Sequence, residues 1–131
     1  MSLVSTEQHT IGNLVKHEYL PEFGYCRTAV TVNDTAGTLA VGTVLGKVTA
    51  TGKYKRAVQT AVDGSQVADA VVIASKTIAG ASDTAVLCLT RGAAGVAQGA
   101  LVLDATYDLD AEKLAVYAAL EAKGIQVIPT V

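Results

Sequence analysis

The sequence is short of large side chains. It has no tryptophan, one methionine, one phenylalanine and five tyrosines in 131 residues, although half of its residues are hydrophobic. Alanine (22 residues) and valine (18 residues) supply most of that half. Such small and β-branched side chains favour short, closely packed strands over a large ligand pocket lined with aromatic rings.

Strong charge and long apolar runs are also missing. The formal net charge is −2, so the field of the whole protein does not attract nucleic acid or anionic lipid, and we expect no direct nucleic-acid partner. The mean hydropathy is +0.38, yet the longest charge-free runs, residues 35–46 and 92–103, have only 12 residues each. Because a membrane-spanning helix needs about 18–20 apolar residues, no membrane association is expected. The first residues also lack the basic and apolar regions of a secretory signal.

Residues that carry chemistry are few and scattered. Cys26 and Cys88 lie 62 positions apart without C-x-x-C spacing, which favours two reduced thiols over a disulfide framework or a zinc site, although it does not fix their redox state. His9 and His17 are eight positions apart, whereas metal ligands on a helix are three or four apart. The sequence therefore predicts no metal site.

No catalytic or cofactor motif is complete either. Residues 46–53 superficially resemble a phosphate-binding loop. However, five residues separate the two glycines where four are needed, and Tyr54 stands in the place of the magnesium-binding Ser or Thr. We therefore predict no catalytic residue, no cofactor and no enzymatic activity. A small hydrolase or ligand-binding domain that uses His17 and Cys26 is the alternative from a different class.

The length allows one self-sufficient core but not two. Residues 1–27 differ from the rest, since they hold both histidines and three of the five glutamates. Aromatic residues and Pro21 also concentrate there, which predicts an extended or partly helical arm that docks on a partner. Residues 28–131 are predicted to form a single β-rich domain.

Within that domain the predicted fold class is α+β and mostly β, as a small β-barrel-like or β-sandwich-like unit. Alternating or apolar runs predict strands at residues 28–32, 39–49, 53–60, 67–75, 76–79 and 84–90. Gly42 and Gly46 predict a bulge or a close approach of two backbones. The Gly- and Ala-rich residues 91–99 predict a loop.

One helix is predicted, over residues 111–123, where strong helix formers concentrate. Asp110 is the expected N-cap, and Leu109 and Leu114 are expected to form a hydrophobic staple. Gly124 fits the left-handed residue that ends a helix. Residues 125–131 are predicted to leave it as a last strand or a tail.

Several motifs follow one another in a characteristic order. They are the run GTVLGKVTATGKY at residues 42–54, the DGS turn at 63–65 with the strand at 67–73, the strand at 85–91, and an Ala-rich helix ending in Leu-x-x-x-Gly-Ile-x-Val at 120–127. Together with residues 13–18 and 28–32, this order resembles the lambda-type bacteriophage head decoration family of capsid cement proteins. The similarity covers roughly residues 13–128. Residues 91–108 depart from it, because they lack the Trp-Pro often seen before the helix in that family.

The resemblance implies a structural virion protein that is not an enzyme. Such proteins bind the outer surface of the expanded icosahedral head as homotrimers at three-fold and quasi-three-fold positions. There they tie neighbouring major capsid proteins together against the pressure of packaged DNA. The implied site of synthesis is the cytoplasm of the bacterial host. An alternative within the same class is another phage structural or adhesive β-module, for example one associated with a tail or fibre.

The N-terminal arm is the candidate capsid contact, as the family uses its N-terminal segment in this way. An extended arm can add to a sheet edge of its partner. The residues expected to make the contact are the apolar ones before Pro21: Ile11, Leu14, Val15, Tyr19 and Leu20. Deleting residues 1–20 is therefore expected to leave a folded protein that no longer binds heads.

Overall fold

The computed structural model describes residues 14–18, 26–80 and 82–129. In these ranges the strands are β1 (Val15–Glu18), β2 (Arg27–Val32), β3 (Gly37–Leu39), β4 (Val44–Lys47), β5 (Tyr54–Arg56), β6 (Ala68–Val72), β7 (Lys76–Ile78), β8 (Thr84–Leu89), β9 (Ala94–Ala97) and β10 (Ile125–Ile128). A 3-10 turn (Gln98–Ala100) follows β9, and the helix α1 (Asp110–Ala122) precedes β10. The predicted class, mostly β with one C-terminal helix, is confirmed.

Five strands close into a barrel in the order β2, β5, β4, β6 and β8. The longest ladder joins β2 to β8 antiparallel, from Arg27 opposite Leu89 to Val32 opposite Thr84. A parallel bridge between Val32 and Tyr54 closes the ring. Of the two predicted arrangements, barrel or sandwich, the chain forms the barrel.

The barrel encloses the first of two apolar cores. Its buried members are aliphatic residues and one cysteine: Val30, Val32, Leu39, Leu45, Ala70, Val72, Ile78, Val86 and Cys88. A two-stranded sheet of β3 and β7 contributes Leu39 and Ile78 to it. Because successive side chains of a strand point to opposite faces, the neighbouring Val44 and Val71 belong to the second core instead.

That second core lies between the barrel wall and an outer layer. The layer is a three-stranded sheet with β9 in the middle, antiparallel to β1 and parallel to β10. Helix α1 packs against β10 and β6, and it buries Val116 and Leu120. Leu14, Leu89 and Val96 are fully buried in the same core.

The prediction of a loop at residues 91–99 is wrong. Ala94–Ala97 form β9, the central strand of the outer sheet, and all four residues are buried. Alanine and glycine have low strand propensity, so local sequence favoured a loop. Burial and pairing on both sides override that preference, and both partner strands are distant in sequence.

The predicted strand at residues 39–49 is interrupted. β3 ends at Leu39 and β4 begins at Val44, because Gly42 turns the chain between them with a φ of +100°. The prediction for the two glycines is confirmed: Gly42 lies against the backbone of Ala100, and Gly46 lies against that of Ser65. The register of β4 against β6 also shifts at Gly46.

The helix begins one residue before the predicted start. Its N-cap is Leu109 and not Asp110. Leu109 has no side-chain oxygen, so the capping bond comes from Glu112, whose carboxylate accepts from the Leu109 backbone N–H at 3.2 Å. Leu109 and Leu114 are 61% and 63% exposed, so the predicted staple does not shield them from water. The prediction for Gly124 is confirmed by its φ of +85°.

Candidate functional site

Two of the five predicted capsid-contact residues lie in the described part of the chain. Leu14 is fully buried, and the half-buried Val15 packs against the same second core. Ile11, Tyr19 and Leu20 lie outside the described residues. In this fold Leu14 holds the N-terminal segment onto the body of the protein. The capsid contact of all five residues stays a prediction.

Strand β1 fixes where the N-terminal segment joins the fold. It pairs antiparallel with β9, so that Val15 lies opposite Val96 and Glu18 lies opposite Ala94. β1 is an edge strand, and within the described ranges only its β9 side is paired. The N–H and C=O groups of an unpaired edge can hydrogen-bond to an incoming strand.

An ion pair ties β1 to the start of β2. The Arg27 guanidinium donates from Nε and Nη2 to the two carboxylate oxygens of Glu18, both at 2.8 Å. The Glu18 side chain is only 4% exposed, whereas that of Arg27 is 32% exposed. The hydrogen bond to Glu18 raises the pKa of the Arg27 guanidinium. Such a bidentate pair fixes the relative orientation of the two side chains as well as their distance. It therefore holds the start of β2 at a defined position relative to the end of β1.

No sequence pattern predicts this pair. Glu18 and Arg27 are nine positions apart with Pro21 between them, which is no helical or hairpin spacing. The two strands lie in different sheets, so neither periodicity nor alternation relates one residue to the other. Only the packing of the outer layer on the barrel brings the two charges together.

Neither Cys26 nor Cys88 forms a disulfide, and both are fully buried. The Cys26 thiol donates to the carbonyl oxygen of Ala93 across 3.6 Å. Cys88 belongs to the barrel core, and burial raises the pKa of its thiol to about 12. Since the thiolate is the nucleophilic form, the protonated Cys88 thiol is a poor nucleophile. Cys26 has no exposed surface for a substrate to reach, so this fold gives no support to the hydrolase alternative.

A polar cluster holds the DGS turn against β4 and β5. The Asp63 carboxylate accepts from the Ser65 hydroxyl at 2.6 Å and from the Ser65 backbone N–H at 3.1 Å. It also pairs with Lys55 Nζ at 3.0 Å. The two bonds from Ser65, followed by that from Lys55, hold the pKa of Asp63 well below its usual range. The sequence predicted this turn but not its link to Lys55.

The described residues contain no group of three or more His, Cys, Asp or Glu side chains placed to hold a metal ion. Within the same ranges, no helix has the length and apolar character needed to cross a membrane.

Comparison with known families decides the relationship of this chain. The family model for bacteriophage lambda head decoration protein D matches residues 4–125. The chain belongs to this head decoration family. Comparison with curated proteins and with solved structures finds no match.

The match to the head decoration family includes most of the arm, the barrel and the helix, because residues 4–125 reach from before β1 to the first residue of β10. The family consists of structural phage proteins and is not an enzyme family. It supports a phage capsid decoration role, and it implies that the chain binds the phage capsid as a component of the virion.

Proposed function

We propose that this chain is a capsid cement protein without enzymatic activity. It is made in the host cytoplasm and binds the outer surface of the expanded icosahedral head as homotrimers at three-fold and quasi-three-fold positions. Its partner there is the major capsid protein, and its role is to stabilise the shell against the pressure of packaged DNA. The family match over residues 4–125 carries this proposal.

The geometry of β1 supports an N-terminal capsid contact. Among the described residues β1 is paired on its β9 side only, and it is held at both ends, by the buried Leu14 at its start and by the Glu18–Arg27 pair at its end. A segment anchored in this way loses less conformational freedom on binding than one attached by a free linker. Residues 1–20 are therefore proposed to contact the capsid, with Ile11, Val15, Tyr19 and Leu20 as the apolar residues of that contact, while the fully buried Leu14 anchors the segment to the core.

Weak individual contacts suffice for this role. Many copies bind one capsid lattice. Once one copy of a trimer is bound, the other two are held close to their own binding sites, so their effective concentration at those sites is high. No single buried pocket or strong anchor is required on the decoration protein. A small, closely packed barrel then serves as a rigid brace between capsid subunits.

The test is to mix the purified chain with expanded capsids that carry no decoration protein and to image the particles. Density at the three-fold and quasi-three-fold positions of the outer surface is the expected result. The same particles, heated with and without the chain, should open at a higher temperature when decorated. Absence of binding to capsids, with binding to tails or fibres instead, would identify a different phage β-module.

A further inference from the structure

The strands of the barrel are joined to one another very unevenly. β2 pairs with β8 along all six of its residues. β4 pairs with three residues of β5 and with three of β6, and β6 and β8 share two pairs. Within the described residues β2 and β5 share a single parallel bridge, between Val32 and Tyr54, in which the Asn33 N–H donates to the Tyr54 carbonyl oxygen at 2.9 Å. The backbone therefore joins the ring least firmly at this seam between β2 and β5.

Two aspartates add side-chain bonds across the seam. Asp34, which follows β2, accepts from the Arg56 backbone N–H at 2.9 Å and from Arg56 Nη1 at 3.0 Å. Asp83, which precedes β8, accepts from Asn33 Nδ2 on one side of the seam and pairs with Lys53 Nζ on the other, both at 3.0 Å. The Asp34 side chain is 15% exposed and that of Asp83 is 51% exposed. Because solvent weakens exposed pairs, Asp34 contributes more to holding the seam closed.

The seam lies over the barrel core. Tyr54 of β5 packs its half-buried ring against that core, in which Cys88 is fully buried. Burial, followed by Asp69 and then by Cys88, raises the pKa of the Tyr54 hydroxyl to about 12, so the phenol and the Cys88 thiol lie within electrostatic reach of each other. Separation of β5 from β2 would move Tyr54 away from the core and let solvent reach Cys88.

We propose that the barrel opens reversibly at the β2–β5 seam, while the second core and the outer layer stay folded, and that Asp34 holds the seam closed. In the open form β5 keeps its ladder to β4, and only the Val32–Tyr54 bridge and the side-chain bonds across the seam are broken. Proteins open locally in this way at a lower free energy than global unfolding requires. The inference rests on the geometry of the barrel and is independent of the proposed function.

Alkylation of Cys88 in the native full-length chain tests the inference. The chain is incubated with excess iodoacetamide, and mass spectrometry follows the peptide of Cys88 separately from that of Cys26. Since the closed barrel buries the thiol, the rate of alkylation reports how often the barrel opens. In the wild type this rate should exceed, by at least about tenfold, the rate that the global unfolding equilibrium from urea titration allows, and low urea should change it little.

Two variants locate the opening. Asp34→Ala removes bonds that exist only in the closed form, so it should raise the Cys88 rate by at least about tenfold. Val116→Ala is the matched control, because Val116 is buried in the second core, away from the seam. That core stays folded in the open form. Val116→Ala should therefore lower global stability and leave the Cys88 rate within about twofold of wild type.

Hydrogen exchange of the wild-type chain is a second measurement that needs no variant. The Asn33 amide, which bonds across the seam, should be at least about tenfold less protected than the most protected amides of the β2–β8 ladder.

The inference is wrong if Cys88 reacts no faster than global unfolding allows, or if the Asn33 amide is as protected as the ladder. It is equally wrong if Val116→Ala accelerates alkylation as much as Asp34→Ala does, because the second core would then unfold in the same event. A Cys88 rate that Asp34→Ala leaves unchanged would place the opening elsewhere in the ring and overturn the assignment to this seam.

Discussion

At the scale of single residues, two glycines show how closely this chain packs its backbone. Gly46 in β4 lies against the carbonyl group and Cα of Ser65, and Ser65 is itself held by Asp63 and fully buried. A side chain at position 46 would have to push backbone atoms apart. Gly52 differs, since the nearest atom to a side chain there is Lys47 Cε at 3.9 Å.

We therefore expect Gly46→Ala to lower the free energy of unfolding by about 2–4 kcal/mol, as overpacking against fixed backbone does. Gly52→Ala should cost only about 1 kcal/mol, because its positive φ is strained but its surroundings are open. Urea unfolding followed by circular dichroism measures both. Equal losses in the two variants would show that Ser65 moves away freely.

The Glu18–Arg27 pair gives a second prediction. Arg27→Gln removes one partner of a nearly buried carboxylate, and we expect a loss of about 1–3 kcal/mol in the free energy of unfolding, reduced by the partial exposure of Arg27. Lys53→Gln is the control, because the Lys53–Asp83 pair is 40% and 51% exposed and should contribute less than about 1 kcal/mol. If Lys53→Gln lowered the free energy of unfolding as much as Arg27→Gln does, the Glu18–Arg27 pair would not have the larger contribution predicted here.

Asp63 predicts a change of stability with pH. Its folded pKa lies below the unfolded value of about 3.9 because of the bonds from Ser65 and Lys55. The charged carboxylate therefore stabilises the fold above about pH 4, and that contribution disappears as the pH falls through the folded pKa. Wild type should exceed Asp63→Asn in urea midpoint at neutral pH, and the difference should shrink below about pH 4. Asp108→Asn, which removes another surface carboxylate, controls for the loss of one charge; a difference that is constant with pH would refute the prediction.

At the scale of elements, structure that depends on neighbouring residues is predicted correctly, whereas structure that depends on distant strand pairing is not. The helix was predicted to within one residue of its start, because helix formers, an acidic first turn and Gly124 are all local. β9 was missed, since its alanines and glycine become a strand only when β1 and β10 pair on its two sides. The Glu18–Arg27 pair was missed for the same reason. The family, in contrast, was evident from the order of several motifs, which needs no knowledge of pairing.

The placement of β1 changes where the N-terminal arm should be cut. Deletion of residues 1–20 would remove β1, the buried Leu14 and Glu18, and would uncover one side of β9. Loss of the Leu14 side chain alone costs about 2–3 kcal/mol. We expect deletion of residues 1–20 to lower the free energy of unfolding by at least about 2 kcal/mol more than deletion of residues 1–13, because only the longer deletion removes Leu14, β1 and Glu18. Urea unfolding of the two truncated chains decides; equal stabilities would mean that β1 contributes little.

At the scale of the whole molecule, the shortage of aromatic residues follows from the architecture. The interior of a barrel narrows as the number of strands falls, and five strands leave room only for small side chains. Valine, alanine, leucine, isoleucine and Cys88 fill it here, and among the described residues the one aromatic ring that packs against this core, that of Tyr54, is only partly buried. Most of the other buried apolar residues form the second core, between the barrel wall and the outer layer. An abundance of alanine and valine thus suits a narrow barrel with a closely packed outer layer.

The N-terminal segment can be tested separately from the barrel. If residues 1–13, which include Ile11, carry part of the proposed capsid contact, their deletion should leave the barrel folded and weaken binding to expanded capsids. If the chain binds as the proposed homotrimer, the loss of three such segments at once should weaken its affinity for the capsid by more than about a hundredfold. Co-sedimentation with undecorated expanded capsids measures occupancy, and Leu87→Asp, which changes an exposed residue of the barrel, serves as the full-length control. Normal occupancy of the truncated chain would place the capsid contact on residues 14–20 or on the barrel instead of residues 1–13.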